Sequence, residues 1–146
     1  MPSARILIVE DERQTVDELR DLFELYGYET EVALNSQVAI SILQERCMDI
    51  AIVSTSVQGV PGTEILREIK KYYATMPIIM ISDQKLKRIE ISSMKAGATV
   101  FLLKPLDRTT ILQTIEDILV APVAVAIKPV ALAIKKKTKP FSKSRK

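Results

Sequence analysis

Histidine is absent from this 146-residue chain, and cysteine occurs once, as Cys47. Without histidine there is no imidazole acid or base, no Ser-His-Asp triad, no histidine metal ligand and no phosphohistidine relay within the chain. A single cysteine excludes an internal disulfide and fits a reducing, cytoplasmic setting. Cys47 itself is expected to pack at a helix end without a redox role. Glycine is scarce as well: Gly27, Gly59, Gly62 and Gly97 are the only four, and their spacing forms no glycine-rich phosphate loop. No apolar run approaches the roughly 20 residues of a membrane span. Glu10, Asp11 and Glu12 interrupt the N-terminal segment before a signal-peptide core could form. These absences point to a soluble, cytoplasmic, non-enzymatic protein.

Acidic charge is missing from one end only. Residues 121–146 carry eight basic side chains and no acidic one, which leaves thirteen basic against eighteen acidic in the first 120, a net of −5. An acidic domain (residues 1–120) followed by a basic tail (residues 121–146) describes the chain better than its overall charge of +3. The tail opens with a seven-residue repeat, Pro122–Lys128 and then Pro129–Lys135, differing at one position. Its alternation of branched residues with alanine suits either an extended linker or a strand added to an exposed sheet edge. Residues 135–146 form a lysine-rich arm suited to nucleic acid or another acidic surface, or simply to solvation.

Within the first 120 residues, short apolar runs alternate with helical periodicity. Arg5–Val9, Ile50–Val53, Pro77–Ile81 and Val100–Leu103 read as strands, the first nearly continuous in branched residues, as in a strand covered on both faces. Glu29–Leu34 is more polar and suits an edge. Between them lie helical patterns: Val16, Leu19, Leu22, Phe23 and Tyr26; Val38, Ile42 and Leu43; Ile65, Leu66 and Ile69; about Lys85 to Lys95; and Ile111, Leu112, Ile115, Ile118 and Leu119 after an N-capping Asp107. Five strand–helix units predict an α/β fold, a single (βα)5 doubly wound parallel sheet with its site at the carboxyl ends of the strands.

Those strand ends carry Glu10 and Asp11, then Ser54, Ser82, and Lys104 before Pro105. With Ile6–Glu12, Pro77–Ser82, Ala96–Ala98 and Phe101–Pro105 in this order and spacing, residues 4–119 resemble the receiver domain of bacterial two-component response regulators, whose topology is flavodoxin-like. The resemblance implies that Glu10 and Asp11 occupy the place of a Mg²⁺-binding acidic pair. By the same resemblance Ser82 takes the place of the switch hydroxyl, Phe101 of the switch aromatic, and Lys104 of the lysine that contacts the phosphoryl group.

The phosphoacceptor aspartate of that family has no counterpart. Its position, at the end of the third strand, is Ser54, and Thr55 and Ser56 follow, so a shift of register recovers no carboxylate. A serine hydroxyl needs an adjacent base to become a nucleophile. Losing one carboxylate also removes an oxygen ligand, so Mg²⁺ binding is expected to be weak or absent, with no cofactor required. The expectation is therefore a pseudo-receiver that works in signal transduction by phosphorylation-independent protein–protein docking. Lys104 would serve as a salt-bridge partner and Phe101 largely as core. The resemblance places a partner on the fourth helix, fifth strand and last helix, where Lys85, Lys87, Arg88 and Lys95 make the surface basic. A homodimer stays open. The alternatives are a nucleic-acid-associated protein acting through its basic arm, and a receiver phosphorylated on Ser54 or another non-aspartate residue.

Overall fold

The apolar runs do form strands, and the way they are covered explains their composition. In a computed structural model that describes residues 4–120, β1 (Arg5–Val9), β2 (Glu29–Ala33), β3 (Ile50–Ser54), β4 (Ile78–Ser82) and β5 (Val100–Leu103) make one parallel sheet in the order β2-β1-β3-β4-β5. The three inner strands are almost wholly buried, while β2 and β5 lie at the edges and keep partly exposed residues. This is the two-face burial that continuous Ile/Leu/Val runs indicate.

Four helices connect the strands, α1 (Arg13–Leu25), α2 (Ser36–Glu45), α3 (Gly62–Tyr72) and α4 (Lys87–Ala96), and α5 (Arg108–Val120) follows the last strand. Leu7, Val9, Ala51, Val53, Ile78 and Met80 pack with Ala39 and Leu43 of α2 and with Ile65, Leu66 and Ile69 of α3. Strand side chains alternate between faces, so Ile6, Ile8, Ile50, Ile52, Ile79 and Ile81 form the second core layer. There α1 contributes Val16, Leu19 and Phe23, and α5 contributes Ile111 and Ile115. Phe23 meets Tyr28 edge to face, with ring centroids 6.2 Å apart.

Local chemistry sets the helix ends. Asn35 Oδ1 accepts the Val38 N–H at 2.8 Å, and Asp107 Oδ2 accepts both the N–H and the hydroxyl of Thr110 at 2.8 Å, as expected of N-caps. Gly97 closes α4 at φ 117°, a left-handed conformation that favours glycine.

Several local expectations are corrected. The fourth helix starts at Lys87, with Leu86 as its extended N-cap, so Lys85 precedes it. Val38 is exposed, and Ala39 and Leu43 supply the buried face of α2. Tyr26 is the C-cap of α1 and is exposed. Cys47 is exposed too: Arg46 turns extended after α2, and Met48 enters the core in its place. The repeat and basic arm of residues 121–146 lie outside the described residues, and so does the boundary proposed at 120/121.

Candidate functional site at the strand ends

The sheet order reverses between β1 and β3, and in open α/β sheets the crevice at such a switch point is where sites form. Val9 pairs with Val53 and Ser54 with Ile81, so Glu10, Ser54 and Ser82 lie side by side at the carboxyl ends of neighbouring strands. Lys104 follows β5, and its backbone N–H donates to the Ser82 carbonyl at 2.7 Å. The Lys104–Pro105 peptide is cis.

Glu10 is the pivot. Its side chain is 1% exposed, and both oxygens are engaged. Oε1 accepts from Lys104 Nζ at 2.9 Å, and Oε2 accepts the backbone N–H groups of Asp11 at 2.9 Å and Glu12 at 3.0 Å. A buried carboxylate is tolerable only when paired and hydrogen-bonded in this way. Lys104 Nζ also donates to Glu12 Oε1 at 3.0 Å, and the Thr15 hydroxyl donates to that same oxygen. Burial pulls the Lys104 ammonium down, but the bonds to Glu10 and Glu12 outweigh it and hold its pKa above the ordinary lysine value. The Thr15 hydroxyl, and after it Lys104, hold the exposed Glu12 carboxyl below the ordinary carboxylate range.

Asp11 points to a different partner. Its Oδ2 accepts the Gln58 N–H at 2.7 Å. Gln58 and Gly59, at φ 51° and 80°, form the turn of a small antiparallel ladder between Ser56–Val57 and Val60–Pro61. Both left-handed residues match the two-residue hairpin turn that suits strand twist. Directly after it, Gly62 passes so close to β3 that a Cβ would lie 2.1 Å from the Ser54 carbonyl oxygen. Gly62 also donates its N–H to Thr55 O at 2.8 Å. Glycine is required there by close approach to backbone.

The hydroxyl side of the crevice is a separate network. Ser82 Oγ accepts from Thr55 Oγ1 at 3.1 Å and from the Gln84 N–H at 3.0 Å. Ser54 is buried, and among the described residues its hydroxyl has no hydrogen-bond partner. Phe101 is half-buried against the α2/α3 core layer. The structure thus gathers Glu10, Asp11, Ser54, Ser82 and Lys104 at one rim and sets Phe101 behind it. Glu12 and Thr15 were not singled out from the sequence. The acidic triplet was visible, but only the fold shows which two of its members face a lysine more than ninety positions away.

The resemblance brings Mg²⁺ with it, and the donor set can be tested for fit. Glu10 is engaged through both oxygens, Asp11 holds the hairpin turn, and Ser54 supplies no carboxylate. Among the described residues no three Asp, Glu, Cys or His side chains converge as a metal site. These residues do not fit a divalent cation.

Away from the crevice, α4 has an unusual burial pattern. The residue it buries fully is Ser93, whose hydroxyl donates to the Ile89 carbonyl at 2.8 Å. Ile91 and Met94 face solvent, 45% and 43% exposed, as does the preceding Leu86. Lys87, Arg88 and Lys95 flank them at helical spacing on the same side.

Known proteins share this fold. The family model for the response regulator receiver domain matches residues 6–116. The transcriptional regulatory protein ZraR of Klebsiella oxytoca is 28% identical over 102 residues, covering 70% of this chain and 23% of that protein. A putative NtrX-like response regulator of Rickettsia conorii is 32% identical over 118 residues, covering 78% and 25%. The chain spans about a quarter of the length of these curated relatives. Among solved structures, a CheY-like receiver domain protein from Methanospirillum hungatei superposes with a TM-score of 0.74 at 26% identity, over 80% of this chain and 93% of that one. The receiver domain of NtrX from Brucella abortus does so with a TM-score of 0.74 at 28% identity, over 78% and 97%. With the sheet order, the strand-end acids and the lysine before proline already in place, this match over most of its length makes the chain a member of the response regulator receiver domain family.

Proposed function

We propose that this receiver domain acts as a pseudo-receiver, by docking a signalling protein on α4 and the adjoining β5 without passing through a phosphorylated state. The observation that carries the reading is the reversed face of α4. A helix packed against a domain ordinarily turns its apolar residues inward; this one half-buries Ile89 and Ala96 beside a fully buried serine, and also shows Ile91 and Met94 to solvent between basic side chains. A contiguous exposed apolar surface with a charged rim fits a protein–protein contact.

The strand-end crevice supports the second half of the reading. The residue ending β3 is a serine, and a hydroxyl becomes a nucleophile only beside a base. No carboxylate hydrogen-bonds Ser54 among the described residues, and Glu10 is committed to Lys104. The lysine that a phosphoryl group would recruit is already neutralised by two carboxylates.

The test has two parts. Incubation of the full chain with acetyl phosphate and Mg²⁺ should leave its intact mass unchanged, and a phosphoryl adduct would overturn the phosphorylation-independent reading. Partners captured by the full chain from nuclease-treated lysate should persist with Ser54→Ala and be lost with Ile91→Asp/Met94→Asp. Retention by the α4 variant would overturn the docking surface.

A further inference from the structure

The surface opposite α4 is its electrostatic complement. A groove of about 800 Å³ runs between α1 and the start of α5. Its apolar floor includes Leu22, Leu25 and Ile111, with Leu25 71% exposed. Its rim carries Glu18, Asp21 and Asp83, none of which forms an ion pair among the described residues. Arg108 is the one rim cation beside Lys104, which is already held by Glu10 and Glu12. The groove therefore combines an apolar floor with uncompensated negative charge.

On α4 the signs are reversed. Arg88 and Lys95 form no ion pair among the described residues, nor does Lys85 just before the helix, and they surround exposed Leu86, Ile91 and Met94. Lengths are also comparable: the ten residues of α4 make a rod of about 15 Å, and the twelve residues of α1 from Gln14 to Leu25 span about 18 Å at 1.5 Å per residue. The two surfaces belong to helices on opposite faces of the sheet, so one molecule can offer both at once.

We propose that a second copy of this chain seats its α4 in the α1/α5 groove, giving head-to-tail self-association. The proposal rests on the α4 docking reading and names the partner at that surface. Apolar contact between Ile91, Met94 and the leucines supplies the attraction, while Arg88 and Lys95 against Glu18 and Asp21 set the orientation. Because donor and acceptor surfaces differ, the contact is heterologous and extends to further copies unless its rotation closes a ring.

Sedimentation velocity over a concentration series tests this with the full chain, Arg88→Glu/Lys95→Glu, Glu18→Lys/Asp21→Lys, and an equimolar mixture of the two variants. The full chain should assemble beyond a dimer with rising concentration, and less so at high salt. Each variant alone should self-associate about tenfold more weakly or not at all. The mixture should recover assembly into a mixed complex, since the groove variant's α4 meets an unaltered groove and the two reversed surfaces are again opposite in charge. That complex would also show that both variants are folded. If the groove variant still dimerises while the α4 variant does not, α4 pairs with itself; the groove assignment is overturned and α4 docking survives. If the α4 variant still assembles, another basic surface occupies the groove and the proposal fails. A full chain that stays monomeric overturns self-association alone, because the lysate comparison above judges α4 docking separately.

Discussion

Helices α1 and α4 occupy equivalent places in the chain, each carrying it from the carboxyl end of one parallel strand to the start of the next, yet they use their side chains in opposite ways. Along α1, Val16, Leu19, Leu22 and Phe23 turn inward and the charged residues face water. Along α4 the fully buried residue is a serine, Ile89 is half-buried, and Ile91 and Met94 are exposed. For α1, burial of its apolar stripe accounts for why the helix forms and stays. For α4, Ile91 and Met94 keep nearly half of their surface in water and so add less to the fold than the α1 stripe does; the docking reading gives that surface a use. The difference separates a helix that builds the domain from one that presents a surface.

Substitutions can break this contrast, starting with the largest effect. Phe23→Ala removes a fully buried ring on the α1 side and should destabilise the domain by about 4 kcal/mol in urea unfolding. Lys104→Met leaves the Glu10 carboxylate buried without its cation and should cost about 3 kcal/mol by the same measurement. Gly62→Ala forces a methyl against the Ser54 carbonyl and should cost about 2 kcal/mol through displaced backbone. Ile91→Asp should change stability by less than about 0.5 kcal/mol while abolishing capture of the docked partner. A large stability loss at Ile91 would erase the distinction between the two helices.

The pH dependence sharpens it further. Glu12 has its pKa lowered in the folded state, so its contribution is present above the ordinary carboxylate value and is lost as pH falls through the depressed one. Lys104 has its pKa raised, so its contribution is complete below the ordinary lysine value, about 10.4, and is lost as pH rises through the elevated one. The stability difference between the full chain and Lys104→Met should therefore form a plateau across neutral pH and shrink on both the acid and the alkaline side. Ile91→Asp should show no such plateau.

How far the sequence could be read follows from which signals are local. Continuous branched runs located the three inner strands, the polar character of Glu29–Leu34 located an edge, and Asp107 marked a helix start, because each is a property of neighbouring residues. The rim of Glu10, Asp11, Ser54, Ser82 and Lys104 was legible from strand ends and spacing. The division of labour within it was not. That Glu12 shares Lys104 with Glu10, while Asp11 holds a hairpin turn, depends on contacts between residues 47 and 92 positions apart. The reversal of α4 was missed for a related reason: apolar residues at helical spacing announce a face without saying which way it turns. The exposure of Cys47 turned on a single extended residue, Arg46.

The bond between Glu10 and Lys104 joins residues 94 positions apart, and that span has a consequence for how the domain is made. A ribosome releases β1 long before it releases the lysine that neutralises its end. Until then, closing the sheet over Glu10 costs the desolvation or protonation of an unpaired carboxylate. The stability that the ion pair contributes is therefore gained only once the last strand and its lysine are present. A chain halted before residue 104 would have to bury an anion without its counter-charge, and should be cleared by proteases rather than accumulate as a half-built sheet.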